Sequence, residues 1–218
     1  MLNGCDISHW QGQDFDISDQ DFVIAKATEG RNYVDPYFHH NIKKSLNANK
    51  LIGAYHYARP ENNTPQEEAK NFVDEVKDYI GKCLLALDWE DVALSYPIDW
   101  AVEWLKEVER LTGVKPLIYC SASYLPKCSK VADNGNGIWV AKWSKTAPTV
   151  KPTFSVMALW QYTSNPYDKD KFFGDTTAWQ KYCDINLSVK VEDDNASCCC
   201  KFCDDFKEWL SEHGYKKE

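Results

Sequence analysis

The sequence predicts an α/β protein, an incomplete (β/α) TIM-like barrel of about eight mostly parallel strands from which some outer helices are missing. Three observations predict it. Short apolar, β-branched or aromatic runs recur along most of the chain, amphipathic helical patterns separate them in the first half, and acidic residues stand where several runs end. A length of 218 residues suits one such barrel around a single core.

The first runs are Leu2 to Asp6 and Phe22 to Thr28, and a helix from Pro36 to near Ala48 leads on to a third run, Leu51 to Ala58. The next helix has the clearest start: Thr64-Pro65-Gln66-Glu67 is a capping box with proline at the first helical position. Ala69, Phe72, Val73, Val76 and Ile80 form its apolar stripe, and Gly81 stops it. The run Cys83 to Glu90 follows, then a helix from near Pro97 that turns Ala101, Leu105, Val108 and Leu111 inward and ends before Gly113. Four more runs complete the set: Lys115 to Ser121, Gly137 to Trp143, Val156 to Tyr162 and Lys181 to Leu187. Their connections are too short or irregular for full helices, so loops should join them.

Residues 1–188 therefore read as the barrel and 189–218 as an appended tail of different composition. The tail holds Cys198, Cys199, Cys200 and Cys203, whose spacing lacks the paired geometry of structural zinc sites, so no metal is expected there. A short helix follows with Phe202, Phe206, Trp209 and Leu210 on one face. That face must bury against something, either the barrel or a second copy of the chain in a homodimer.

With 44% apolar and 27% charged residues the chain has the composition of a globular domain. A net charge of −8 argues against nucleic acid or anionic lipid held by general attraction. The 9 Trp and 12 Tyr supply flat amphipathic rings that can stack on sugars, although large aromatics commonly serve the core. Met1-Leu-Asn-Gly-Cys-Asp6 has neither the basic start nor the apolar run of a signal peptide, and no later stretch is long enough to span a membrane. The expectation is synthesis in a cytoplasm. Nine cysteines, with Cys5, Cys83, Cys120 and Cys183 inside strand-like runs, fit buried thiols better than a secreted disulfide framework.

The sharpest chemical signal is Leu84-Leu-Ala-Leu-Asp88-Trp89-Glu90. Side chains alternate across a strand, so Asp88 and Glu90 share the barrel interior while Trp89 points away. Two acids continuing an apolar strand carry a desolvation penalty that something must offset, and a catalytic role gives a reason to retain them. Asp6 ends the first run, and Asp184 interrupts the last. First and last strands adjoin in a closed barrel, so four carboxyl groups should converge, and crowding with burial should keep at least one protonated near neutral pH. A proton-donating acid beside ionised acids is what glycosidic cleavage requires.

Strand ends also supply Lys26, Tyr55, Tyr57, Tyr119, Trp143 and Gln161, a polar and aromatic rim suited to a sugar groove. Lys26 serves equally as an ion-pair partner. His56 falls on the outward face, where packing or a hydrogen bond explains it, and five scattered histidines form no metal constellation.

These segments resemble the family 25 glycoside hydrolases, the muramidase lysozymes of phages, bacteria and some fungi. The resemblance rests on Asp6-Ile-Ser-His-Trp-Gln11, Phe22 to Gly30, Gly53-Ala-Tyr-His-Tyr57, Leu87-Asp-Trp-Glu90, Trp139 to Trp143, Leu159-Trp-Gln-Tyr162 and Asp184-Ile-Asn186, in that order, across residues 2–188. It implies an incomplete (β/α) barrel that hydrolyses the β-1,4 bond between N-acetylmuramic acid and N-acetylglucosamine in bacterial peptidoglycan, without a cofactor. It further implies Glu90 as proton donor, with Asp88, Asp184 and Asp6 stabilising positive charge or positioning water and the 2-acetamido group. A phage-type lytic enzyme would reach the wall without its own leader.

Two other readings stand beside it. Chitinase-like barrel hydrolases also end a strand in Asp-x-Glu, but carry a further acid two residues earlier, where this chain has Ala86. A non-catalytic wall-binding module could keep the groove and lose turnover. Strand alternation leaves the carboxyl separations across the barrel open, and with them the stereochemical course.

Overall fold

The computed structural model describes residues 1–185, so the tail expected from residue 189, with its cysteine cluster and its docking face, lies outside the described residues. Eight strands close a barrel: β1 (Leu2–Ile7), β2 (Phe22–Glu29), β4 (Leu51–Tyr57), β5 (Cys83–Asp88), β6 (Leu117–Ser121), β7 (Ile138–Ala141), β8 (Leu159–Thr163) and β9 (Lys169–Phe172). A two-residue strand, β3 (Tyr33–Val34), pairs with the end of β2. Neighbouring strands are parallel from β1 through β8, whereas β9 runs antiparallel to both β8 and β1 and closes the ring. Every residue of β5 is buried, as befits a parallel strand covered on both faces.

Helices cover the first half, as their amphipathic patterns require. They are α1 (Phe38–Asn47), α2 (Pro65–Val76) and α3 (Ile98–Thr112). The capping box of α2 forms: Thr64 Oγ1 accepts from Glu67 N at 3.2 Å and Glu67 Oε2 accepts from Thr64 N at 2.8 Å. Gly113 ends α3 in the left-handed conformation at φ +71°, which glycine adopts without a Cβ penalty. Between β6 and β7 the helix is the short α4 (Ser129–Asp133), and no helix lies between β7 and β8.

The expected strand from Lys181 to Leu187 is overturned. Residues 181–183 finish a helix, α5 (Thr176–Cys183), and Asp184 is its C-terminal capping residue. Asp175 caps the start, its Oδ1 accepting from Ala178 N at 2.8 Å, and Trp179 and Cys183 at i and i+4 form one buried face. This helix plugs the N-terminal end of the barrel. Trp179 packs on Phe22 and Phe172 at ring-centroid distances of 4.7 and 5.1 Å, and Gln180 Nε2 donates to Gly81 O at 2.9 Å, just before β5. The absent side chain of Gly4 makes room for Phe22 in the same floor, since a Cβ there would come within 2.4 Å of its ring.

The last strand among the described residues is β9, whose charged Lys-Asp-Lys-Phe sequence alternates with period two. Asp170 and Phe172 are buried, whereas Lys169 and Lys171 are half-exposed. Cys5, Cys83, Cys120, Cys128 and Cys183 are buried free thiols. No helix among the described residues is long and apolar enough to cross a membrane.

Candidate active site

With its floor plugged, the barrel opens at the carboxyl ends of the parallel strands, where a cleft of about 430 Å³ collects side chains from most of the barrel. Three acids enter at once: Asp6 from β1, and Asp88 with Glu90 from the end of β5. A fourth, Asp168, stands just before β9. The aromatic wall consists of Tyr55 and Tyr57 of β4, Tyr119 of β6 and Trp139 of β7, with Trp143 66% exposed at the lip.

Gln161 of β8 fixes Asp6 in place. Its Oε1 accepts from Tyr119 Oη and Trp143 Nε1, each at 3.1 Å, which leaves Nε2 to donate to Asp6 Oδ2 at 2.9 Å. Lys26 reaches the cleft from β2, but its Nζ bonds Glu29 Oε2 at 2.6 Å and lies 4.7 Å above the Tyr57 ring. Its direct partner is therefore Glu29 rather than one of the four acids. Tyr57 Oη donates to Asp91 Oδ2 at 2.6 Å, which anchors the turn after Glu90.

Burial and mutual repulsion raise these carboxyl groups. Glu90 is pushed up to about 7 by burial first, then by the charges of Asp91 and Asp168, with Lys26 opposing. Asp6 also rises to about 7, through burial and the charge of Asp168, while the Gln161 hydrogen bond pulls the other way. Asp88 is driven well above the carboxylate range by burial and by Glu90, and its buried Oδ1 has no hydrogen-bond partner among the described residues. A protonated acid thus stands beside ionisable ones near neutral pH, the condition that acid-assisted glycosidic cleavage needs.

A second bay of about 650 Å³ adjoins the cleft and shares Trp10, Lys26 and Tyr57 with it. Arg59 lines it, paired with Glu29 at 2.7 Å and stacked 4.7 Å from the Tyr57 ring, while Trp10 is 82% exposed between the two spaces. The combined surface is an extended polar groove with aromatic platforms.

Nine of the ten residues expected at the site line this cleft; Asp184 does not. It is exposed at the end of α5, at the opposite end of the barrel, with Gln180 Nε2 donating to its Oδ1 at 3.1 Å. Asp168 occupies the place that reading the last strand at Lys181 had given to Asp184. The signal was present in Tyr167-Asp-Lys-Asp-Lys-Phe172, an alternating segment whose inward positions are acids instead of apolar residues. Asp170 and Asp91 are not singled out by the sequence, and Trp10 stands there only as part of the Asp6 to Gln11 motif. His56, on the outward face as expected, is fully buried with Nε2 2.8 Å from Glu68 Oε2. Among the described residues no cluster of His, Cys, Asp or Glu is arranged to hold a metal ion.

A closed β/α barrel with convergent acids in an aromatic-lined groove at its carboxyl mouth defines a carboxylate-based glycoside hydrolase. The profile of Glycosyl hydrolases family 25 matches residues 5–171, and the chain belongs to that family. Lysozyme M1 of Streptomyces globisporus is 29% identical over 203 residues, covering 79% of this chain and 68% of its own length. The N,O-diacetylmuramidase of a Chalaropsis species is 29% identical over 160 residues, 64% of this chain and 75% of that protein. The bacterial lysozyme of Streptomyces coelicolor superposes with a TM-score of 0.73 at 27% identity, covering 85% of this chain and 98% of its own.

Proposed function

We propose that this chain is a peptidoglycan hydrolase, an N-acetylmuramidase that cleaves the β-1,4 bond from N-acetylmuramic acid to N-acetylglucosamine in bacterial cell walls. The observation that carries the reading is the set of four acids at the barrel mouth, with Glu90 raised to about 7 inside a family 25 barrel. Glu90, protonated when substrate arrives, gives its proton to the glycosidic oxygen as the bond to C1 breaks. Positive charge developing on the sugar ring faces Asp6 and Asp168, whose ionised forms stabilise it. Asp88, held neutral by burial, offers a donor and an acceptor to the 2-acetamido group. Water adds to C1 and the proton it releases restores Glu90. Tyr55, Tyr57, Tyr119 and Trp143 supply stacking faces, and Gln161 holds Asp6 toward the sugar.

The chitinase-like reading loses support at Ala86, the inward residue below Asp88, which is completely buried in the apolar barrel core. A direct test is Glu90→Gln, which keeps shape and polarity and removes the transferable proton. General acid catalysis is worth about a hundred- to ten-thousand-fold, so turnover on natural wall falls by that order while saccharide binding persists. An aryl glycoside with an acidic phenol needs little protonation and restores much of the rate. Near-parental cleavage of natural wall by Glu90→Gln would remove Glu90 from this role.

A further inference from the structure

Asp170 is a carboxyl group that the proposed reaction does not use and that the fold has nonetheless placed in the barrel interior with 0% exposure. On β9 it lies opposite Gly4 of β1 and Gln161 of β8, one inward position deeper than Asp168 and one strand layer below Asp6. Trp139 Nε1 donates to its Oδ1 at 2.8 Å. Its Oδ2 is buried and receives no donor from the described residues, and the neighbouring carboxyl group is that of Asp6, two residues beyond Gly4 on the adjoining strand.

Two carboxylates in contact inside a barrel cannot both stay ionised without a cation to separate them. Among the described residues no cationic side chain pairs with these two groups. Lys169 and Lys171 flank Asp170 on β9 but lie over the rings of Tyr167 and Tyr162, at 4.8 and 5.3 Å, and Lys26 is bound to Glu29. The titratable groups facing Asp170 are Asp6 and Cys5 from β1, Tyr119 from β6 and Asp168 just before its own strand; none adds positive charge. One arrangement satisfies the buried oxygen and leaves Asp6 ionised for the cleft: a proton on Asp170 Oδ2 that is donated to Asp6.

We propose that Asp170 works as a neutral carboxylic acid, a positioning residue whose O–H, with the Gln161 amide, holds Asp6 ionised and aimed into the cleft. A chain then runs from the Trp139 indole N–H to Asp170, and from the Asp170 O–H to Asp6. Asp6 receives two hydrogen bonds, and each lowers its proton affinity against the burial and the Asp168 charge that raise it. Burial and the Asp6 charge keep Asp170 itself far above the usual carboxylate range.

Asparagine reproduces the neutral acid, since Oδ1 can accept from Trp139 and Nδ2 can donate to Asp6; leucine reproduces neither. Asp170→Leu should lower kcat/KM by about ten- to a hundredfold, the worth of a charge-assisted hydrogen bond, and move the acid limb of the profile to higher pH. Asp170→Asn should restore both relative to leucine. A second measurement involves no substrate, so its failure is separable from failure of the muramidase reading. In the unfolded parent Asp170 ionises above about pH 4, while in the fold it keeps its proton, so the parent loses stability as pH rises. The variant escapes that loss. The Tm of Asp170→Asn minus that of the parent should therefore climb between pH 5 and pH 8, by about 3–5 °C per pH unit. A flat difference would show that Asp170 is ionised in the fold, and an asparagine variant as impaired as the leucine one with the same shifted limb would show that a neutral donor here does not hold Asp6; either result would overturn the proposal.

Discussion

Replacing Asp168 and Asp184 in turn by asparagine separates the two candidates for the fourth acid. Asp168 stands in the cleft, and its charge is among the causes that raise both Asp6 and Glu90. Asp184 is exposed at the plugged end of the barrel, and its hydrogen-bond partner among the described residues is Gln180 of its own helix. If Asp168 stabilises charge on the sugar ring, its loss should resemble the loss of a preorganised electrostatic group, about a hundred- to a thousandfold in kcat. Removing its charge also lowers the proton affinity of Glu90, so the alkaline limb of the remaining activity should move toward acid. Asp184→Asn is a surface change worth within about 0.5 kcal/mol, so its activity should stay within about twofold of the parent. Initial rates of dye release from labelled wall across pH, with circular dichroism to confirm folding, measure both. Near-parental Asp168→Asn beside an inactive Asp184→Asn would refute the reasoning.

Three further outcomes follow from the same geometry. Because Glu90 must be protonated and Asp6 ionised, and both are raised to about 7, kcat/KM should trace a narrow bell centred near neutrality, falling above it as Glu90 loses its proton. A rate that keeps rising to pH 9 would contradict this assignment. Trp179→Ala should cost about 3–5 kcal/mol by hollowing the floor against Phe22 and Phe172, lowering Tm by roughly 6–20 °C in thermal unfolding. A chain truncated to residues 1–188 should fold and retain activity on solubilised wall fragments, because the barrel strands and the candidate acids precede residue 185; an unfolded product would make the tail part of the core.

Most of the barrel was legible because seven of its eight strands are apolar runs of the kind that two-sided burial imposes, and amphipathic helices, one opened by a capping box and one closed by a glycine, separate the early ones. Asp88 and Glu90 were legible for a local reason. A period of two puts them on one face whatever the rest of the fold does. The eighth strand was hidden because acids, Asp168 just before it and Asp170 within it, stand where apolar residues would mark a strand, so hydrophobicity marks only Phe172. Lys181-Tyr-Cys-Asp-Ile imitated a strand, although Asp175 and the i, i+4 pair Trp179 and Cys183 were the better evidence and specified a capped helix. Asp170 could not have been read as a proton donor from the sequence, since its state depends on meeting Asp6 across a barrel closure that joins residues far apart in the chain.

The central claim is that the enzyme breaks one particular glycosidic bond, and mass spectrometry of purified peptidoglycan digested with this protein tests it most directly. After borohydride reduction, the account predicts fragments ending in reduced N-acetylmuramic acid with their stem peptides attached, and none from a Glu90→Gln control. Fragments ending in reduced N-acetylglucosamine, free stem peptides, or no fragments from the folded parent would contradict it.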